Sequence, residues 1–275
     1  MYSLLIIFSF LVGAILGSFI NCVVYRLSVG KSFLAGRSFC PKCQKQIKWY
    51  DNIPLVSFFL LRGRCRACQQ KISWQYPIVE FVAGVLFVLV FLNSFSGLTA
   101  GVFMLSCFRV FVLLRDWFFV VILLILFLYD FKYYLIPDII VLPAIALALF
   151  INLVIAAVGN SSLDFLISQF FNFSISGLLA AGFFLALFVI SKGKWIGGGD
   201  IRLGVLLGVM LGYPLIIVAF FLAYVAGALI GIALIILKKK TLRSAVPFGT
   251  FLTAGAFIAL LRGDWLIEKY LSLTF

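Results

Sequence analysis

Two aspartates, Asp130 and Asp200, are the residues of this chain best suited to acid–base chemistry, and each borders a long apolar run. Asp200 directly follows three glycines, Gly197–Gly199. An ionised aspartate is costly inside hydrocarbon, so a carboxylate at the mouth of a membrane helix is a candidate for function. Two carboxylates in one poorly solvated site share a proton, and such a dyad can activate water for attack on a peptide carbonyl.

More ordinary roles for these aspartates stay open. Asp130 could pair with Lys132, and Asp200 with Arg202, as charges at a membrane interface. A third aspartate, Asp138, follows a proline at the start of an apolar run. That position is typical of a helix cap rather than of a catalyst.

The chain contains no histidine. This excludes Ser-His-Asp and Cys-His catalysis and the two-histidine zinc protease motif. Acid–base chemistry must therefore come from the nine Asp and Glu residues, or from Lys, Tyr or Cys.

Four cysteines form two C-x-x-C pairs, Cys40 with Cys43 and Cys65 with Cys68. Each pair has the spacing of a metal-binding turn, and together they supply four thiolates for a tetrahedral zinc ion. Disulfides or a redox pair are the alternatives. Disulfides are disfavoured because the distribution of basic residues, described below, predicts that this segment lies in the reducing cytoplasm. A redox pair usually lies in a βαβ context, which is absent from this sequence. We expect a structural zinc site.

The composition is that of a membrane protein, with 65% hydrophobic and only 11% charged residues. The net charge of +13 then reflects membrane topology rather than nucleic-acid binding, because Lys and Arg mark cytoplasmic loops. We therefore expect the lipid bilayer, and no nucleic acid, as a partner. Apolar runs predict about eight transmembrane helices, at residues 3–24, 77–96, 114–131, 138–158, 173–191, 201–213, 215–237 and 245–262.

The basic residues predict how these spans cross the membrane. Of 22 Lys and Arg residues, 18 lie in segments that alternate to one side: ten in 25–76, one at Lys132, three in 192–202 and four in 238–243. This bias predicts that both termini lie outside and that Asp130 and Asp200 lie at the same cytoplasmic depth. Residues 159–172, without Lys or Arg, are expected to form an outer loop. Residues 98–113 are either a surface helix or an extension of a span.

In its motifs the chain resembles the bacterial type IV prepilin peptidases, bifunctional leader peptidase/N-methyltransferases of the Gly-x-Gly-Asp aspartic class. Asp130 lies eight residues before Asp138, as the family's first aspartate does. The chain departs from the family's pattern in a third glycine before Asp200 and in extra residues around 98–113. The other matching segments follow in order along nearly the whole chain: Gly17–Leu27, Tyr50–Pro54, Leu61–Cys68, Tyr76–Glu80, Gly197–Leu203 and Val246–Gly249.

The resemblance implies that Asp130 and Asp200 are catalytic. The substrates would be type IV prepilins and pseudopilins, cut after a glycine to remove a short basic leader. The new N-terminus would be methylated from S-adenosylmethionine, with the zinc domain contributing and Glu80 and Gly84 in its neighbourhood. The family is found in the bacterial plasma (inner) membrane, where the zinc domain and active site would face the cytoplasm.

Together these expectations describe an all-α polytopic membrane protein in three parts. A first transmembrane helix (1–24) precedes a small cytoplasmic four-cysteine zinc domain (25–76), and a membrane aspartic peptidase domain (77–275) follows. Alternative functions are a peptidase without methyltransferase activity, a carboxylate-dependent transporter and a non-catalytic zinc-anchored assembly protein. No residue pattern assigns contacts to the methyl donor or defines an oligomeric state.

Overall fold

The computed structural model describes residues 2–32, 36–95, 107–159, 162–237 and 246–274. Within these ranges the chain is helical, and its only extended pairings are two isolated β-bridges. This confirms the predicted all-α class. The helices are α1 Tyr2–Ser28, a 3-10 helix Trp49–Asn52, α2 Val56–Leu60, α3 Gln75–Ser94, α4 Cys107–Tyr133, α5 Asp138–Gly159, α6 Leu163–Ser191, α7 Gly198–Leu211, α8 Leu215–Ile236 and α9 Phe248–Thr274.

Seven helices in the described ranges are long and apolar enough to cross a membrane. They are α1, α3, α4, α5, α6, α8 and α9. The remaining predicted span, 201–213, corresponds to α7, which has only 14 residues. At about 1.5 Å per residue such a helix covers about 21 Å, short of the hydrocarbon thickness of about 30 Å.

The prediction of an outer loop at 159–172 is wrong, because α6 begins at Leu163. The apolar side chains of its first turns lie beside α5 and line a groove with it. With this packing the helix begins well before residue 173, where the predicted span starts. Of the uncertain segment 98–113, residues 107–113 belong to α4, and 98–106 lie outside the described residues.

The chain divides into two compact units, Met1–Phe103 and Met104–Phe275. In the first unit, α1 packs along α3. A Cβ atom on Gly13 would lie 2.6 Å from the carbonyl oxygen of Ala83, and one on Gly17 would lie 2.8 Å from Cα of Glu80. Small residues on α1 therefore let the two helices approach to backbone contact.

In the second unit the short helix α7 is the central element. Leu203, Gly204 and Leu206–Leu211 are all buried, and α7 contacts α5, α6, α8 and α9. A Cβ on Gly208 would lie 2.5 Å from the Ser176 carbonyl oxygen of α6. The amide of Asn152 in α5 donates to the carbonyl of Val209 at 2.8 Å. This packing fixes α7, and with it the loop that precedes its N-terminus.

Candidate functional site

Asp130 lies in the last turn of α4 and is only 5% exposed. The helix ends just after it, where Tyr134 takes a left-handed conformation (φ 56°) and donates its N–H to the Asp130 carbonyl at 2.8 Å. The side chain binds a distant element: its Oδ2 accepts the backbone N–H of Thr250, at the start of α9, at 2.8 Å. The carboxylate is therefore fixed by a helix that is far from it in sequence.

Asp200 is the third residue of α7 and caps that helix locally. Its Oδ2 accepts the N–H of Gly197 at 3.2 Å, and its own N–H donates to the Gly197 carbonyl at 3.1 Å. A carboxylate in the first turn also interacts favourably with the positive end of the helix dipole. Asp200 is thus held by the residues that directly precede it in sequence.

The two aspartates share a neighbourhood, and Ile136 lies in its middle. A Cβ on Gly199 would lie 3.1 Å from Cβ of Ile136, and one on Gly249 would lie 3.4 Å from its Cδ1. The Gly249 position also adjoins Asp130, with 2.9 Å from its ideal Cβ to Oδ2 of that aspartate. The glycine that precedes Asp200 and the glycine that adjoins Asp130 therefore both lie against Ile136.

The nearby basic residues do not neutralise this pair. Arg202 forms an ion pair with Asp138, at the start of α5, instead of with Asp200. Lys132 lies over the ring of Tyr133, 5.4 Å from its centroid. Among the described residues neither Asp130 nor Asp200 is in a salt bridge. The interfacial pairings considered from sequence are therefore not formed.

The four cysteines form a single cluster in the first unit. Their Sγ atoms all lie within 4.8 Å of one another, and the Cys40 and Cys68 sulfurs are 3.9 Å apart. Four sulfurs at about 2.3 Å from a tetrahedral zinc ion would be about 3.8 Å apart. The cluster is therefore compatible with a structural zinc ion.

Backbone groups also favour thiolates in this cluster. The N–H groups of Cys68 and Ala67 lower the pKa of the Cys65 thiol to about 7. The N–H of Gln70 lowers the pKa of Cys68, but burial and the three other thiols outweigh it and raise that pKa to about 11. One thiol thus ionises well before its neighbour, as expected when like charges share a site.

Comparison with known proteins matches both parts of this arrangement. The family model described as the bacterial Peptidase A24 N-terminal domain covers residues 11–94, and that of the type IV leader peptidase family covers 117–232. A prepilin leader peptidase/N-methyltransferase of Bacillus subtilis (strain 168) is 33% identical to this chain, and the match covers 96% of this chain and 97% of the relative's length. The chain belongs to the type IV leader peptidase family.

Other members of this family give the same match over nearly full length. Proteins named prepilin leader peptidase/N-methyltransferase from Stutzerimonas stutzeri and Pseudomonas aeruginosa are 31% and 28% identical, over 94% and 95% of this chain and 91% of each relative. No solved structure matches the chain. Family membership and seven apolar helices make it a multi-pass membrane protein.

The cysteine segment of this leader-peptidase family member contains a repeat that the sequence motifs did not reveal. Cys40 and Cys65 each begin a turn closed by two backbone hydrogen bonds of 2.9–3.0 Å. Gln44 and Gln69, four residues later, are both left-handed (φ 59° and 56°). We call these two turns, Cys40–Gln44 and Cys65–Gln69, the knuckles. Their matching residues are related by a constant offset in sequence, so alignment of the sequence with itself would have found the repeat.

Two carboxylates tie other parts of the first unit together. Asp51 receives three hydrogen bonds of 2.7–3.1 Å from the guanidinium of Arg66, which lies between Cys65 and Cys68. Glu80 of α3 is buried, and its Oε2 accepts the N–H of Leu55 at 2.8 Å. Leu55 has φ 61° and ψ −54°, a conformation that side chains rarely adopt, so this hydrogen bond holds a strained residue in place.

Proposed function

We propose that this chain is a membrane aspartic endopeptidase that removes the short basic leader of type IV prepilins and pseudopilins after a glycine. In the same proposal, it then N-methylates the new N-terminal residue with S-adenosylmethionine. The main support is that the backbone beside each aspartate, at Gly199 and Gly249, approaches the same residue, Ile136, in a chain of the type IV leader peptidase family. The relatives at about 30% identity carry both activities in their names.

The proposed cleavage uses the two carboxylates as an acid and a base. One ionised aspartate accepts a proton from water, and the water oxygen attacks the carbonyl carbon of the glycine. The other aspartate, protonated, donates its proton to the carbonyl oxygen. When the tetrahedral intermediate collapses, the C–N bond breaks, and the leaving nitrogen takes the proton that the first aspartate had accepted from water. The second aspartate takes back a proton from a hydroxyl of the intermediate as the new carboxyl group forms, which restores the pair.

The hydrogen bonding of the two carboxylates suits these roles. In both Asp130 and Asp200 the Oδ2 atom accepts one backbone N–H. This fixes each side chain and leaves Oδ1 for water or for the shared proton. Because the chain has no histidine, no imidazole competes for the role of base.

We place the active site and the cysteine domain at the cytoplasmic face, on the basis of the Lys and Arg distribution. A substrate with a basic leader joined to an apolar helix has its scissile bond at the membrane surface. In this topology Asp130 ends its span and Asp200 begins a short helix at that same surface. The substrate and the site therefore meet at one depth.

The proposed zinc ligands are Cys40, Cys43, Cys65 and Cys68, and the proposed role of the ion is structural. All four positions are cysteines, so a zinc ion bound by them has no open coordination position for catalysis. S-adenosylmethionine would supply an electrophilic methyl group for the new α-amine. This part of the proposal rests on the names of the relatives.

The experiment that tests the proposal is cleavage of a coexpressed prepilin by Asp130→Asn and Asp200→Asn variants. Each substitution should lower cleavage by at least about 10³-fold, because it removes an acid–base group without changing side-chain volume. The matched control is Asp264→Asn, at an exposed position of α9, which should cleave at the wild-type rate. Full cleavage by either active-site variant would eliminate the dyad mechanism.

Mass spectrometry of the pilin N-terminus separates the two proposed activities. A cleaved and methylated product supports both, and a cleaved but unmethylated product supports a peptidase alone. Substrate-dependent ion flux in liposomes, without cleavage, would instead support a transporter.

A further inference from the structure

The N-terminus of α9 contacts the Asp130 carboxylate through backbone atoms alone. The N–H of Thr250 donates to Oδ2 at 2.8 Å, a buried hydrogen bond between residues 120 positions apart. At Gly249 an added Cβ would lie 2.9 Å from that oxygen and 3.0 Å from Cγ. Only glycine therefore leaves this carboxylate where it is.

The availability of the Thr250 N–H follows from its place in the helix. Thr250 is the third residue of α9, and the first N–H groups of a helix have no partner within the helix. The Thr250 hydroxyl donates to the Pro247 carbonyl at 2.6 Å and so shapes the first turn. The N–H then points at Asp130 from the positive end of the helix dipole, which favours a carboxylate.

We infer that Gly249 and Thr250 are positioning residues for Asp130 in the cleavage reaction. This inference rests on the proposed function. Asp200 has its own local cap at Gly197, whereas the carboxylate of Asp130 is held by the distant helix α9. The first turn of α9 is accordingly a third component of the aspartate site, beside α4 and α7.

The expected consequence is a loss of catalytic rate rather than of substrate binding. Displacement of a catalytic group by about 1 Å can lower the rate by about 10²-fold, since reacting groups must be closely aligned. Neither the Thr250 N–H nor the Gly249 Cα–H is expected to touch the substrate, because both face Asp130. KM should therefore change little.

Four variants test this inference. Gly249→Ala places a methyl group against Asp130, and Thr250→Pro removes the N–H at a position in the first helical turn where proline costs no intrahelical hydrogen bond. Thr250→Val keeps the N–H and lacks only the hydroxyl, so its kcat should fall less than that of Thr250→Pro. Gly231→Ala in α8 is the matched glycine control, since a Cβ there meets nothing within 4 Å.

The measurement is steady-state cleavage of a synthetic prepilin by purified protein in detergent, normalised to the folded fraction from thermal unfolding. We expect kcat to fall about 10²-fold for Gly249→Ala and Thr250→Pro, with KM within about twofold of wild type, and Gly231→Ala to be unchanged. Normalised wild-type kcat in both, or a raised KM at unchanged kcat, would overturn the inference. Wild-type cleavage by Asp130→Asn would instead overturn the proposed function, so the two failures are distinguishable.

Discussion

The cysteine cluster and the aspartate site are built on opposite plans. All four cysteines lie between residues 40 and 68, and each knuckle is closed by hydrogen bonds between residues at most five positions apart. The aspartate site draws on α4, the turn before α5, α7 and α9, and one of its hydrogen bonds joins residues 120 positions apart. One site is local in sequence, and the other depends on how a whole helical unit packs.

This difference predicts different sources of stability. Between residues 36 and 74 only Cys40 is buried, so the cysteine cluster has little buried apolar surface around it. Its order should therefore come from the proposed zinc ion. The aspartate site should instead depend on close helix contacts, many of them distant from either carboxylate, such as that at Gly208.

The largest expected effect is the loss of the cysteine cluster on ligand removal. A double variant, Cys40→Ser with Cys65→Ser, removes one sulfur from each knuckle. Structural zinc sites contribute about 10–16 kcal/mol to folding of the segment that binds them. We expect bound zinc to fall from about one per chain to none, with rapid proteolysis of residues 36–73, measured by metal analysis and limited digestion.

The helical unit Met104–Phe275 should keep its thermal transition in this variant, since it contains none of the four cysteines. Full zinc occupancy in the double variant would contradict the four-sulfur ligand set. Collapse of the helical unit would contradict the independence of the two sites.

A second large effect should come from breaking helix packing far from the carboxylates. In Gly208→Val the new side chain meets backbone atoms of α6, 2.5 Å from the Ser176 carbonyl oxygen and 2.6 Å from Cα of Gly177. Overpacking typically costs about 1–3 kcal/mol and occasionally more, and here the neighbouring atoms are backbone, so the protein should unfold at lower temperature and lose most cleavage. Thermal unfolding and prepilin cleavage are the measurements.

The matched control is Gly182→Val on α6, where a Cβ meets nothing within 4 Å. Its stability should stay within about 0.5 kcal/mol of wild type. If Gly208→Val cleaves prepilin normally, the aspartate site does not depend on the position of α7.

The two plans explain how much could be predicted from sequence. The spacing of the cysteines predicts a metal-binding turn, and apolar runs predict helices, because both signals lie within a short stretch of residues. The part played by Thr250 has no such signal, because its donor is a backbone N–H that every residue but proline has. Gly249 belonged to a recognisable motif, Val246–Gly249, yet only the fold gives it a neighbour in Asp130.

The wrong outer loop has a related cause. Residues 163–172 contain Asp164, Ser168 and Gln169 among apolar residues, so their mean hydropathy falls below that of the following span. Their apolar side chains still recur with helical spacing and line the groove with α5. Packing against a neighbouring helix outweighed the local polarity, as tertiary contacts often do.

A moderate effect should follow from removal of the Glu80 carboxylate, which links α3 to the cysteine segment of the first unit. Glu80→Ala removes the acceptor for the Leu55 N–H, which lies 25 positions away and holds a strained backbone. Such strain amounts to about 1–3 kcal/mol, so residues 53–56 should relax and become sensitive to protease. Glu80→Gln keeps an oxygen acceptor and should protect the segment largely as wild type does.

Hydrogen exchange at residues 53–56 measures this difference directly. Equal exchange in Glu80→Ala, Glu80→Gln and wild type would mean that the knuckles alone hold the segment. The segment around the cysteine cluster would then be held by local contacts alone, and the contrast between the two sites would be sharper.

The smallest expected effect concerns Asp138, the charged residue that lies beside the aspartate site without belonging to it. Its side chain is 49% exposed and pairs with Arg202, which is 47% exposed. An ion pair as exposed as this contributes about 0–1 kcal/mol, so Asp138→Asn should change prepilin cleavage by less than about fivefold. The difference in cleavage between Asp138→Asn and wild type should also shrink at higher salt concentration, because salt screens the ion pair in the wild type. A fall in cleavage of about 10²-fold or more would mean that Arg202, once freed from Asp138, neutralises Asp200. The ion pair with Asp138 would then serve to keep the Arg202 charge away from the two aspartates.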